Sequence, residues 1–525
     1  MVDDPNDQQD NSDDSSSGGN RGGGGGGGNM LLQFLPIIIG LLFRKPLLLL
    51  VVLGVAGVFY FKGGCNGFGN LSSNTSSTEQ LATGGVLDPK QFDKAQVYEG
   101  LDESKTDLPE YISLLKFAPD RLNQGQQGSC VAWSSAYGAR TVLEAASTGE
   151  APNKLAFSPA FLYNQIKLDG CQGSYIIRAM ETMTRVGAVP FNDFPYDDKD
   201  CDKQPNGQLI NEASDFKMPG FNRLTTTEST NGINLHAVKE HLAKDVPVVI
   251  GMMVGGSFMH EMYGKDIWHP NDDDYNMMGF GGHAMCVIGY DDRKEGGAFE
   301  VMNSWGKDWG KNGVAYIKYN DFKRFVREAY GINPSPKKGA ADVQNLACNI
   351  GLVDAKSKNY IPLQLTTNNI FTTKQPIAKG SSFKMEVKNN SACYVYVLGK
   401  ETDGSSYILF PYPSKADATK TKFSPYCGIT GYRLFPRGMS MQADQIGNKD
   451  FMAVITSKEP LNVFDLNNAV NANKASGFEL AINTAIKRLT VNNVQFKSAA
   501  NGTINFETAT GDKNAVACIV AIDKL

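Results

Sequence analysis

The residue best suited to do chemistry in this 525-residue chain is a cysteine behind a glycine-rich loop. Apolar side chains recur at steps of three and four after Cys130, which predicts a helix that begins at the cysteine with Ser129 as its N-cap. The unpaired N–H groups at a helix start lower the pKa of a thiol. We therefore expect Cys130 to be a thiolate nucleophile.

Three further residues offer partners for that thiol. His283 stands at the head of an apolar strand, Asn303 lies two residues before Trp305, and Gln124 lies six residues before Cys130. An imidazole can exchange a proton with the thiol, one amide can hold the ring, and another can donate to an oxyanion. The set predicts acyl transfer through a thioester.

Taken in order, these landmarks resemble the papain family of cysteine peptidases over residues 106–335. The motifs that carry the likeness are Gln124-Gly125, Ser129-Cys130, Gly282-His283-Ala284 and Asn303-Ser304-Trp305-Gly306. The resemblance implies an α+β fold of two lobes with a cleft between them. A helical lobe would carry Cys130, and a β-barrel lobe would carry His283 and Asn303.

The resemblance also implies a role for each residue. Cys130 would attack the scissile carbonyl, and His283 would pair with the thiolate and then protonate the leaving amine. Asn303 would hold the imidazole, under the cover of Trp305. The side chain of Gln124 and the backbone N–H of Cys130 would bind the oxyanion.

Residues around these motifs are expected to line the substrate cleft: Gly173, Ser174, Gly282 and Ala284. Ser174 replaces a glycine of the family pattern, so we expect an altered pocket. Val131 stands where the family usually has an aromatic residue, and Trp133 could fill some of that space.

The cysteines depart from the family pattern as well. Gln127 stands where a cysteine usually lies, so Cys171 loses its standard mate and either pairs with Cys201 or stays free. A segment outside the cytoplasm permits disulfides. Two further pairings are open in the C-terminal part: Cys348 with Cys518 and Cys393 with Cys427.

The N-terminal part predicts a membrane protein. Residues 1–29 are acidic and glycine-rich, which is typical of disorder, and 30–62 form an anchor with one span over about 46–61. A buried core helix is the alternative for this apolar run. Residues 63–105 read as a stalk, too short for the family's helical propeptide. We expect a single-pass cell-membrane protein with its catalytic domain in the periplasm or outside the cell.

Residues 343–525 read mainly as strands and predict a β-sandwich. A hairpin is expected from Cys393–Leu398 and Ser406–Phe410, and one helix over Gly477–Leu489. Residues 383–466 also resemble a β-rich module that bacteria append to proteases. We expect this region to bind a ligand, such as a component of the cell envelope, or to direct the protein to its target.

Composition and motifs exclude several other functions. The net charge is −4, and since the acidic tail supplies it, the rest of the chain is close to neutral and lacks the charge of a nucleic-acid binder. The sequence offers no phosphate-binding loop and no metal-ligand spacing, so we expect no cofactor and no metal. The leading hypothesis is a membrane-anchored endopeptidase acting on proteins or peptides. The alternatives are a catalytically weak, tethered binding scaffold and a hydrolase of non-protein amides.

Overall fold

The computed structural model describes four stretches of the chain: 81–225, 232–337, 345–415 and 417–525. The predicted tail, the predicted anchor and the stalk before Leu81 lie outside them. Within these stretches, no helix is both long enough and apolar enough to cross a bilayer.

One long helix runs through the first domain. It begins at Cys130, as predicted, is π-wound over Trp133–Arg140, and ends at Thr148, where Gly149 adopts a left-handed conformation. Its α-helical ends are α2 Cys130–Ala132 and α3 Thr141–Thr148. The other helices of this domain are α1 Pro89–Phe92, α4 Pro152–Leu155, α5 Pro159–Ile166, α6 Ile176–Arg185, α7 Gly207–Ala213, α8 Leu235–Leu242, α9 Gly256–His260 and α10 Tyr319–Phe325.

A single sheet of eight strands forms the other half of this domain. The strands are β1 Tyr111–Ser113, β2 Phe221–Arg223, β3 Val248–Val254, β4 Ile267–Trp268, β5 Gly281–Asp291, β6 Ala298–Met302, β7 Val314–Lys318 and β8 Val326–Ile332. Their order is β2-β8-β3-β5-β6-β7-β4, with β1 on β5. All pairs are antiparallel except β4 with β7.

The long helix packs directly on β5, which brings two distant parts of the sequence together. It is buried on all sides from Ser129 to Leu143, so it lies in the domain core. A Cβ at Gly138 would lie 3.1 Å from the Cβ of Cys286 on β5. Glycine therefore permits a close approach, and the start of the helix lies beside the start of the buried part of β5, at His283.

The C-terminal domain is a sandwich of two seven-stranded sheets. Its strands are β9 Asn345–Asp354, β10 Tyr360–Ile361, β11 Leu363–Thr367, β12 Ile370–Thr373, β13 Ser382–Asn389, β14 Cys393–Lys400, β15 Ser406–Phe410, β16 Tyr426–Cys427, β17 Gly431–Phe435, β18 Met441–Gln442, β19 Lys449–Ser457, β20 Phe496–Ser498, β21 Ile504–Ala509 and β22 Ala515–Asp523. One sheet runs β17-β13-β9-β21-β20, with β10 on β9 and β18 on β13. The other runs β11-β12-β22-β19-β14-β15, with β16 on β14.

Apolar side chains of both sheets meet in one core, among them Leu352, Met385, Val397 and Val454. The predicted hairpin of β14 and β15 is present and antiparallel. Two helices, α11 Val463–Ala472 and α12 Phe478–Ala485, cover the outer face of the second sheet. The sequence predicted the second of them as Gly477–Leu489, which is five residues too long, and missed the first.

The segment from Ala95 to Lys105, here called the connector, packs between the two domains. Val97 pairs with Arg223 of β2 on one side and with Phe423 of the C-terminal domain on the other. The described part of the predicted stalk therefore lies against both domains instead of extending away from them.

Two buried charged residues fix the connector. Glu240 of α8 accepts the hydroxyl of Tyr98 at 2.8 Å and the backbone N–H of Leu101 at 3.1 Å. From the C-terminal domain, the buried guanidinium of Arg433 donates to the carbonyl oxygen of Glu99 at 3.0 Å. Each charge is held by hydrogen bonds, which is what burial of a charge requires.

Candidate active site

Cys130 is the first residue of α2 and is completely buried. The backbone N–H of Ala284 donates to its Sγ at 3.4 Å. Ser129 occupies the N-cap position as predicted, but its hydroxyl does not cap the helix; it lies 2.6 Å from the hydroxyl of Tyr196 instead. The helix start therefore places the thiol next to the strand that carries His283.

The ring of His283 is held on one edge and one face. Its Nε2 lies 2.8 Å from Oδ1 of Asn303, and that oxygen also accepts the backbone N–H of Ser304 at 2.8 Å. Trp305 stacks on the imidazole, with ring centroids 4.3 Å apart and planes 24° apart. Since Oδ1 can only accept, Nε2 carries the proton. In the neutral ring Nδ1 is then left as the atom that can take a proton.

Gln124 is buried and held through both side-chain atoms. Its Oε1 accepts the hydroxyl of Ser304 at 2.6 Å, and its Nε2 donates to the carbonyl oxygen of Gln127 at 2.9 Å. Its backbone N–H donates to the carbonyl oxygen of Ser304 at 2.8 Å. The second Nε2 proton remains for a ligand, because a side-chain amide has two donors.

A segment of the chain's own backbone, Ala82–Leu87, runs through the predicted cleft; we call it the strap. Trp305 Nε1 donates to the carbonyl oxygen of Ala82 at 2.7 Å. The N–H of Gly85 donates to the carbonyl oxygen of Gly282 at 2.9 Å. The strap is therefore bound to the tryptophan that covers the imidazole and to the residue before His283.

The opposite rim of the cleft binds the strap as well. Ser174 donates its N–H to the carbonyl oxygen of Gly84 at 3.0 Å and accepts the N–H of Val86 at 3.0 Å. A Cβ at Gly84 would overlap the carbonyl group of Gly128, and a Cβ at Gly173 would overlap that of Gly84. Only residues without side chains fit at these crossings, and together they close the cleft.

Burial in the closed cleft favours the uncharged forms of the thiol and the imidazole. Burial raises the pKa of Cys130 to about 12, against the lowering effect of N–H groups from Ala284, Val131 and Gly85. Burial also lowers the pKa of His283 to about 4, against its bond to Asn303. In the closed chain, desolvation thus opposes the thiolate that the helix start favours.

In addition, Nδ1 of His283 is buried and makes no hydrogen bond to any of the residues that the structure describes. The thiol and the imidazole lie in the same closed cleft without a hydrogen bond between them.

The strap ends in a pocket under the cleft. The side chain of Leu87 fills the space beside Gly251, where Ile176 and the Cβ of Glu328 also approach. The carboxylate of Glu328 accepts the N–H of Asp88 at 3.1 Å. Burial raises the pKa of Glu328 to about 8, so neutral Glu328 is the preferred form there at neutral pH.

The structure brings together all nine residues that the sequence analysis placed in the site: Gln124, Cys130, Gly173, Ser174, Gly282, His283, Ala284, Asn303 and Trp305. Sequence reasoning missed the strap, Glu328 and Tyr196. The signal for the strap was a Gly-Gly pair before an apolar dipeptide and a helix that Asp88 caps and Pro89 begins. Among the described residues, no group of His, Cys, Asp or Glu side chains is arranged to hold a metal ion.

The structure contains one of the three cysteine pairings that the sequence left open and lacks the other two. Cys171 and Cys201 form a disulfide. The pairings of Cys348 with Cys518 and of Cys393 with Cys427 were wrong, because all four are buried free thiols. Cys393 and Cys427 do face each other across β14 and β16, but the structure leaves them reduced. Trp133 packs edge-on against Tyr137 and Tyr196, beside the helix start where an aromatic residue was missing.

The comparisons with known proteins are as follows for the first domain. Xylellain, a cysteine protease from Xylella fastidiosa, aligns with a TM-score of 0.39 and 20% identity over 51% of this chain and 100% of its own. An uncharacterized peptidase C1-like protein of Acanthamoeba polyphaga mimivirus is 26% identical over 261 residues, covering 48% of this chain and 81% of the viral protein.

Cathepsin K of Mus musculus is 28% identical over 201 residues, which cover 38% of this chain and 55% of the cathepsin. The chain thus spans about half the length of that relative. The sequence profile of the papain family cysteine proteases matches residues 118–335. These residues form a papain-family cysteine protease domain, which supports a hydrolase activity for this domain.

Proposed function

We propose that the protein is a latent cysteine peptidase that cuts peptide bonds with Cys130, His283, Asn303 and Gln124. The observation that carries the proposal is the hydrogen-bonded and stacked imidazole beside a cysteine at a helix start. Because Asn303 holds the ring through Nε2, Nδ1 is the atom that can take a proton, as a general base must.

The chemistry follows from these positions. His283 takes the thiol proton, and the sulfur attacks the carbonyl carbon of the substrate. The oxyanion accepts hydrogen bonds from Gln124 Nε2 and the N–H of Cys130, where each donor contributes roughly 3–4 kcal/mol to the transition state. The imidazolium then protonates the leaving amine, and water hydrolyses the thioester.

Latency follows from the strap. A substrate backbone would need the same partners, Trp305, Ser174 and Gly282, that the strap now occupies. Substrate can therefore bind only after the strap has left. Displacement also readmits water, which removes the desolvation that keeps the thiol and imidazole neutral.

The experiment compares the full chain with a Gly84→Val variant, whose side chain would overlap Gly128 and prevent the strap from seating. We expect the variant to cleave peptides from a mixed library and to bind an epoxysuccinyl peptide covalently at Cys130. A Gly84→Val/Cys130→Ala double variant is the matched control. Absence of cleavage and labelling in the folded variant, or cleavage that survives in the control, would refute the proposal.

We propose in addition that residues 46–61 anchor the protein in the cell membrane, with the peptidase outside the cytoplasm. The disulfide between Cys171 and Cys201 supports this location, since disulfides persist in oxidising compartments. Fractionation of cells should place the full chain in the membrane pellet, and protease added to intact cells or spheroplasts should digest the C-terminal domain. Recovery in the soluble cytoplasmic fraction would contradict both points.

A further inference from the structure

The loop from Asn123 to Ser129 carries the proposed oxyanion donor and leads into the nucleophile, but it contains no cysteine that could tie it down. Its conformation sets the distance between Gln124 Nε2 and the N–H of Cys130. Both donors must point at one oxygen, so a shift of about 1 Å in either would cost on the order of a hundredfold in rate.

One side chain holds both ends of this loop. The hydroxyl of Tyr196 donates to the carbonyl oxygen of Gln124 at 2.7 Å. It also lies 2.6 Å from the hydroxyl of Ser129, the residue before Cys130. A phenol has one proton, and Gln124 accepts it, so the hydroxyl of Ser129 is the donor in the second bond. Tyr196 thus links the start of the loop to its end.

The two residues after Tyr196 hold the middle of the loop. The carbonyl oxygen of Asp197 accepts from the side-chain amide of Gln127 at 3.3 Å. The carboxylate of Asp198 accepts the backbone N–H of Gln126 at 3.2 Å. Three consecutive residues therefore contact the loop along its length.

The segment that carries Tyr196 is itself fixed. Cys201 is bonded to Cys171, two residues before the cleft rim at Gly173. The ring of Tyr196 packs edge-on against Trp133, with centroids 4.9 Å apart, in the first turns of the long helix. The hydroxyl is therefore placed from two sides, by the disulfide and by the helix that bears the nucleophile.

We propose that Tyr196 is a positioning residue for the oxyanion hole, which aligns Gln124 and the N–H of Cys130 through the hydrogen bonds of its hydroxyl. The proposal rests on the proposed peptidase function and adds a residue to it. Tyr196 touches neither substrate nor thiol; its effect passes through the loop. It should therefore change the chemical step much more than the binding of substrate.

The test compares Tyr196→Phe with Tyr137→Phe in the full chain carrying Gly84→Val. Tyr137 is a matched control, because its hydroxyl donates to one carbonyl oxygen, that of Asp120, at 2.7 Å and its ring packs on the same Trp133 at 4.8 Å. We expect Tyr196→Phe to lower kcat by roughly ten- to a hundredfold with KM changed by less than about threefold. The control should stay within about twofold.

A second measurement separates a positioning role of Tyr196 from general damage to the active site. Alkylation of Cys130 by iodoacetamide needs no oxyanion hole, so its rate should be unchanged by Tyr196→Phe. An unchanged kcat, or an alkylation rate that falls in parallel with kcat, overturns the proposal.

Hydrogen exchange in the full chain without Gly84→Val tests whether Tyr196 holds the loop, independently of activity. Tyr196→Phe should speed exchange of the amides from Gly125 to Cys130, and Tyr137→Phe should not. Equal exchange in both variants overturns the proposal. If Gly84→Val shows no cleavage that depends on Cys130, the peptidase function fails, and the exchange data still decide the role of Tyr196.

Discussion

Replacing Gly84 by valine should open the cleft, and the structure gives the size of the effect. The Cβ of residue 84 would overlap the carbonyl group of Gly128, which is backbone and cannot rotate away. The strap must then lift at the point where it crosses the start of the long helix.

The cost to the closed state has two parts. Relieving an overlap in a packed site costs about 1–3 kcal/mol. Lifting residue 84 also breaks the bonds from Ser174 to Gly84 and from Gly85 to Gly282, each contributing about 1 kcal/mol. The total of about 3–5 kcal/mol corresponds to a fall of roughly 10²- to 4 × 10³-fold in the ratio of closed to open chain.

Iodoacetamide labelling of Cys130, followed by peptide mass spectrometry, measures this ratio without a substrate. We expect labelling at least about tenfold faster in Gly84→Val than in the natural chain, since acceleration stops once the open form predominates. Gly207→Val is the matched control, because a Cβ there meets nothing within 4 Å. Equal labelling rates in the natural chain and in a folded Gly84→Val variant would show that the strap does not restrict access.

Three further predictions concern the imidazole, the pocket and the disulfide. Asn303→Ala frees the ring of His283 and should lower kcat by roughly ten- to a hundredfold in the Gly84→Val chain, as steady-state kinetics would show. Burial raises the pKa of Glu328 from 4.5 to about 8, so the folded chain holds a proton that the unfolded chain releases. The free energy of unfolding in urea should therefore fall as the pH rises from 4.5 to 8, and it should fall less steeply in Glu328→Gln. Equal pH slopes in the natural chain and the variant would contradict this. Cys201→Ser opens the loop closed by Cys171 and should lower the unfolding free energy by about 3 kcal/mol; a loss under about 0.5 kcal/mol would contradict the assignment.

The candidate site could be located from the sequence because each landmark carries its own local signal. Cys130 begins a helix because its apolar periodicity starts there, and His283 begins the buried part of a strand because a continuous apolar run follows it. Packing of helix on strand then brings the two together through Gly138. The predicted β-sandwich followed likewise from strands with strong alternation.

What the sequence could not give depends on contacts between distant residues. The strap residues Thr83, Gly84 and Gly85 have the composition of a linker, and their role appears only when Gly128 lies opposite them. The raised pKa of Cys130 could not be predicted, because the helix start is a local feature, whereas part of the burial comes from a segment far upstream. Free thiols at Cys393 and Cys427 are equally invisible in the sequence, since pairing across two strands does not fix the redox state.

The attachment of the strap has a kinetic consequence. It continues directly into α1, whose Phe92 is buried against Tyr330, so its C-terminal end stays fixed when the rest lifts. A ligand held on so short a tether has an effective concentration in the millimolar range. A free substrate at micromolar concentration therefore competes with a ligand about a thousandfold more abundant. Dilution of the protein leaves that competitor unchanged, so the proposed restraint should be as strong in a single isolated molecule as in a concentrated solution.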